Sequence, residues 1–134
     1  MALTKDRDTK RRDGVQFSHP IAAATVIFAG ALVALNAAGD AVPGSTSTTL
    51  KAVGVAQETV DNSSGAAGAV RVEVRRGLFR FGNSAAADAI TRAEIGSNAY
   101  IVDDETVAKT SGTSTRSIAG VIRDVDSAGV WIEI

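Results

Sequence analysis

Gly96-Ser-Asn-Ala-Tyr-Ile-Val-Asp-Asp-Glu-Thr-Val107, then Ile118-Ala-Gly-Val-Ile-Arg-Asp-Val-Asp126, Ser-Ala-Gly129 and Val130-Trp-Ile-Glu-Ile134 carry the clearest signal in this chain. They are short β-branched runs separated by turn residues, a pattern of strands and not of helices. None of them holds a group equipped for chemistry. Further back, Val70, Val72 and Val74 alternate with Arg71, Glu73 and Arg75, which sets valines on one sheet face and charges on the other. Arg76-Gly77 leads into a second alternation, Leu78-Phe79-Arg80-Phe81-Gly82. Leu50–Val60 reads as a strand in which Gly54 predicts a bulge or a close backbone approach. Asn36–Asp40, Pro43–Thr49 and Asp61–Gly68 are turn and loop segments. The one stretch with helical character, Asp88-Ala-Ile-Thr-Arg-Ala-Glu-Ile95, predicts about two turns ending at Gly96. The expected fold class is mainly β: a small single-domain β-sandwich or barrel with one short helix and an extended N-terminal arm.

A chain of 134 residues suits one domain, able to bury about two thirds of the surface its unfolded form exposes. Of these residues 45% are apolar but only 4% aromatic. Small β-branched side chains fill narrow space between sheets better than they line a large pocket. With no cysteine, disulfide frameworks, thiolate metal sites and thiol enzymes are excluded, and stability must come from packing or oligomerisation.

The net charge of −1 is unevenly placed. Residues 1–19 hold five basic groups (Lys5, Arg7, Lys10, Arg11, Arg12) against three acidic ones (Asp6, Asp8, Asp13), and the body carries nine basic and twelve acidic. The interspersed aspartates dilute the arm's field, and no aromatic residues are interleaved for base stacking, so direct nucleic-acid binding is not expected. Residues 1–19 show no periodicity and are expected to be mobile alone or ordered only by a partner, ahead of a β-rich domain at 20–134.

Ile21–Leu35 is an apolar run of 15 residues behind a basic segment. It is short of the ~20 needed to cross a bilayer as a helix, so no membrane partner is expected. Two readings remain for it. A cleaved signal peptide, with small residues near Ala34 and Ala37, would make the mature protein a secreted or periplasmic polymer-binding β-domain. Acidic residues in the basic segment, Pro20 at the mouth of the run and Gly30 within it favour a pair of buried strands, Ala24–Phe28 and Ala31–Leu35, joined at Ala29-Gly30.

Candidate chemistry is sparse. His19 is the only histidine and cannot supply both a base and a metal shell. Asp103-Asp104-Glu105 lacks the spaced ligands and glycine of a calcium loop and reads as a solvated turn between two strands. Asp124 and Asp126 read as solvent-facing neighbours on one strand face. The serines and threonines of 44–49 and 110–117 have no nucleophile elbow, and the glycines form no phosphate-binding pattern. Arg71, Arg75, Arg76 and Arg80, with Glu73 among them, read as a polar sheet face or subunit contact. No catalytic, metal-binding or cofactor-binding residue is assigned, no cofactor is expected, and the chain is read as a non-enzyme. Strict alternation puts Trp131 beside Glu133 and opposite Val130, Ile132 and Ile134, so the indole is expected at a rim or subunit contact.

Ile95–Val107, Ser117–Ile122 and Val125–Ile134, with Val53-Gly54-Val55-Ala56 and the Gly/Ala/Ser-rich loop ahead of Val70–Val74 and Gly77-Leu78-Phe79, resemble the head decoration or cement proteins of tailed bacteriophages. The resemblance spans roughly residues 21–134 and rests on spacing and turn placement. It implies a structural virion protein, made in the host bacterial cytoplasm, that binds the outer surface of the mature capsid and stabilises contacts between capsomers. It also implies a homotrimer at three-fold positions, with the major capsid protein as partner and an extended N-terminal segment lying on it. On that implication the candidate capsid-contact residues of the arm are Lys10, Arg11, Arg12, Val15 and Phe17, and Trp131 is the candidate subunit contact.

Overall fold

The period-two alternation at Val70–Val74 sits at the heart of a computed structural model that describes residues 1–134. Val72 and Val74 are fully buried on strand Arg71–Arg75, whose two arginines are exposed. In chain order the strands are β1 (Gln16–Pro20), β2 (Thr25–Ile27), β3 (Leu32–Leu35), β4 (Ala41–Pro43), β5 (Lys51–Ala56), β6 (Val60–Asn62), β7 (Arg71–Arg75), β8 (Leu78–Asn83), β9 (Asn98–Ile101), β10 (Thr106–Ala108), β11 (Ile118–Asp126) and β12 (Gly129–Glu133). They form an antiparallel five-stranded sheet in the order β1-β7-β5-β3-β4, a closed five-stranded barrel in the order β10-β8-β12-β11-β9, and a β2-β6 ribbon. The expected mainly-β class is present, as open sheets and a small closed barrel. No helix is long and apolar enough to cross a membrane.

The open sheet lies between two cores, and strand alternation divides its side chains between them. On β3, Leu32 and Ala34 join Val55 of β5 in packing on the barrel residues Ile101, Val107, Ile122, Val130 and Ile132. Val33, Ala56, Val72 and Val74 point the other way, onto Ile21, Ile27 and Ala41. Each fully buried Val, Leu or Ile contributes about 1.5–3 kcal/mol of transfer free energy. The apolar run 21–35 therefore supplies side chains to both cores. Its two expected strands exist as β2 and β3, but they do not pair with each other: β2 pairs with β6 and β3 with β4 and β5.

At Gly54 the register shifts, Val33 facing Gly54 and Ala34 facing Ala52, so Val53 is the extra residue of a bulge. A Cβ at Gly54 would lie 2.3 Å from the Arg75 carbonyl oxygen. The bulge and the close approach expected there both occur. The expected single strand over 50–60 is in fact two, β5 and β6, in different sheets.

The expected helix at 88–95 is corrected to two separate single 3-10 turns, Ala86–Asp88 and Arg92–Glu94. Between them Ile90 is buried, and its backbone is held by the Asn83 carboxamide, which donates to its carbonyl and accepts from its N–H at 2.8 Å each. Those two bonds replace helical ones and leave the chain extended at Ala89. The second turn starts afresh at Thr91, whose side chain and that of Glu94 cap one another's backbone.

Candidate functional site

The segment expected as an arm divides in the structure. Residues 1–13 hold no strand or helix and are exposed throughout. Lys10 pairs with Asp8 in solvent, and Arg11 is exposed beside Asp13. From Val15 onward the chain belongs to the domain, which corrects the expected boundary at residue 19. The Val15 carbonyl accepts from Arg76 N–H at 2.7 Å, and β1 pairs along its whole length with β7. Phe17 is half-buried opposite Val74, stacks on His19 with centroids 6.2 Å apart, and lies under the Arg12 guanidinium at 5.2 Å. β1 is Gln-Phe-Ser-His-Pro, too polar to show as a strand in the sequence.

β1 is also an edge. Val15 and Ile21 bond to Arg76 and Val70 across the pair, so alternation turns the backbone groups of Gln16, Ser18 and Pro20 outward. Two features blunt this edge. Pro20 has no N–H to offer, and Arg71 covers Ser18, donating from Nη2 to its carbonyl at 2.8 Å and from Nε to its hydroxyl at 2.9 Å. The open part is the Ser18 N–H, Gln16 and the chain leading into it. Inside the sheet, burial and the positive charge of Arg71 hold the His19 pKa below its ordinary value of 6.5. Phe17, His19, Ala52, Val53, Arg76 and Ile134 line a shallow groove of about 280 Å³ there.

Trp131 lies on the outer face of the barrel. It is partly exposed while Val130 and Ile132 are fully buried, as alternation requires. Arg80 of β8 sits 5.9 Å from its ring centroid, and its Nε1–H donates to Asp126 Oδ2 at 3.1 Å. That bond, with N–H donors from Ala128 and Gly129, holds the Asp126 carboxyl below its ordinary range. A bulge in β11 puts Asp124 opposite Trp131, where it pairs with Arg92 at 3.0 Å. Asp124 and Asp126 are both exposed. The four arginines are spread over different surroundings: Arg71 clamps β1, Arg75 is exposed on β7, Arg76 lines the groove and Arg80 covers Trp131.

The acidic run Asp103-Asp104-Glu105 is the turn between β9 and β10, closed by Val102 N–H donating to the Thr106 carbonyl at 3.1 Å. No three His, Cys, Asp or Glu side chains converge. Phe28 and Lys51, exposed on the surface, and the largely buried Arg116 carry no sequence signal as site residues: Phe28 sits inside an apolar run, Lys51 in a strand, and Arg116 in a polar loop. No family model, curated protein or solved structure matched this chain.

Proposed function

We propose that this chain is a structural virion protein that binds the outer surface of the mature bacteriophage capsid as a homotrimer and stabilises contacts between capsomers. Its partner is the major capsid protein. The observation that carries the reading is the exposed run 1–13, which continues without a break into the open edge at Gln16. Such a segment orders on a partner by adding backbone hydrogen bonds, with no preformed pocket required. The likeness of residues 21–134 to cement proteins supplies the partner. A protein that binds only the expanded shell adds its binding free energy to that state, and a trimer gains further from effective concentration.

The test is occupancy of expanded shells by the full chain and by a chain lacking residues 1–13, at matched concentration. The proposal predicts weaker occupancy for the shortened chain and a larger difference at low salt, through Lys10, Arg11 and Arg12. Equal occupancy would refute the role of the arm, and no occupancy by either would refute the capsid reading. A secreted origin is tested separately by intact mass from the native source, because cleavage near residue 37 would remove Ile21, Ile27, Leu32 and Val33 from the two cores.

A further inference from the structure

One surface feature outside the arm is an aromatic knob on the β2–β3 turn. Phe28 is 62% exposed, yet the backbone beneath it is fixed. Ala31 N–H donates to the Phe28 carbonyl at 3.1 Å, Gly30 N–H to the Ala56 carbonyl at 2.9 Å, and Ala29 N–H to Thr59 Oγ1 at 3.0 Å. A large aromatic held on a rigid turn loses little freedom when it is covered, the property of an interface anchor. Asp104 and Glu105 border the same turn, and neither is in an ion pair. The Leu32 N–H bond to the Asp104 carbonyl, 2.8 Å, fixes the acidic turn beside the aromatic one.

The complementary feature is a groove of about 560 Å³ where the sheet meets the barrel. Leu50, Tyr100 and Ile118 are its apolar lining and Lys51 and Arg116 its charged lining, with no acidic residue among them. Lys51 has no ion-pair partner. Arg116 is held through Nη1 alone, by Asp88 at 3.3 Å and the Thr110 carbonyl at 3.1 Å. Ile118 is 48% exposed, and the volume falls in the range that accepts bulky apolar groups.

We propose that these are two halves of one head-to-tail contact between copies of this chain: Phe28 of one copy fills the groove of the next, and Asp104 and Glu105 face Lys51, the groove's unpaired cation, since Arg116 is already paired with Asp88. Two different patches make a heterologous contact, which repeats until a ring closes. This identifies the contact within the homotrimer proposed above and rests on that reading for the number three. The rim charges set orientation and on-rate, and Phe28 supplies the anchor.

The absence of cysteine makes disulfide trapping of the full chain clean. Ala29→Cys, Ile118→Cys and the double variant, all of which keep Phe28, are oxidised at high protein concentration and run on a non-reducing gel. The double variant is expected to form a closed trimer, exceeding cross-linked product from either single variant by about ten-fold or more, since apposed thiols react at high effective concentration. A double variant that stays monomeric, or Ala29→Cys alone cross-linking as well, overturns the proposal. An open ladder of multimers keeps the paired surfaces and overturns the three-fold ring. Without cysteines, concentration-dependent amide shifts at Phe28 and Tyr100 should vanish in Lys51→Glu and return in Lys51→Glu/Glu105→Lys; shifts unaffected by Lys51→Glu also overturn it. Normal shell occupancy without trapping refutes only this contact, whereas trapping without occupancy refutes only the capsid reading.

Discussion

Gly54→Ala tests the junction on which both cores depend. Gly54 has φ +141°, a conformation that side chains rarely adopt. An added methyl would lie 2.3 Å from the Arg75 carbonyl oxygen and 2.9 Å from a Val74 methyl. Neither neighbour swings aside, because one is β7 backbone and the other a fully buried side chain. The backbone term costs about 1–3 kcal/mol, and forcing β5 from β7 costs about 1–3 more. Their sum, about 2–6 kcal/mol, is a large part of the about 5–15 kcal/mol that holds a typical domain. Two controls separate the terms. Gly30 has φ +86° with nothing within 4 Å, so Gly30→Ala carries a positive-φ cost without a clash, and Gly14 has open space and no such φ. Gly30→Ala should then cost about 1–2 kcal/mol, and Gly14→Ala nothing measurable. Urea unfolding followed by Trp131 fluorescence gives all three, since the chain has one tryptophan. The expected order is Gly54→Ala, then Gly30→Ala, then Gly14→Ala, with the urea slope unchanged. Gly54→Ala falling within about 0.5 kcal/mol of Gly30→Ala would refute the close-approach reasoning.

Three further outcomes follow from the same geometry. Removing residues 1–13 should leave the urea midpoint of the domain in place, while removing 1–19 should lower it, because β1 and the Phe17–His19 stack go with it; equal midpoints would contradict the corrected boundary. His19 is held neutral, its folded pKa lying below the ordinary 6.5. Its contribution is thus complete above that value and declines as pH falls toward the folded pKa; His19→Gln should flatten the decline, and an unchanged pH profile would count against it. The Asp126 carboxyl is held below its ordinary 3.8, first by the Trp131 N–H and then by Ala128 N–H. Its contribution is present above that value and lost as pH falls through the lowered pKa, so Trp131 emission should change in that acid range, and Asp126→Asn should abolish the change.

Where side-chain alternation alone decides the structure, the sequence was readable. Val70–Val74, Phe79–Phe81 and Val130–Ile132 each have their apolar members inward, and Trp131 falls on the outer face for the same reason. Gly54 was readable because a glycine inside a strand pattern has few physical uses. Long-range pairing was not. Nothing local sends β2 to β6 and β3 to β5, since both strands are equally apolar and a hairpin at Ala29-Gly30 satisfies the same pattern. The segment 88–95 has helical spacing, and the Asn83 carboxamide just outside it, which takes over the Ile90 backbone, makes it two turns. Alternation alone gives Trp131 its outward face, whereas Phe17 reads as part of a free arm because β1 depends on β7 for its existence. Phe28 is hidden in an apolar run whose Ile21, Ile27, Leu32 and Val33 are fully buried, and its exposure follows from the tertiary turn that carries it.

The central claim is that this chain decorates a capsid, and imaging expanded shells incubated with the full-length protein tests it most directly. Partner, stoichiometry and symmetry are read from one density map. The account predicts three copies around each three-fold position on the outer surface, with residues 1–13 traced along the major capsid protein and Phe28 of each copy against its neighbour. Shells without added density, or density showing isolated monomers or two-fold dimers at every site, would contradict it.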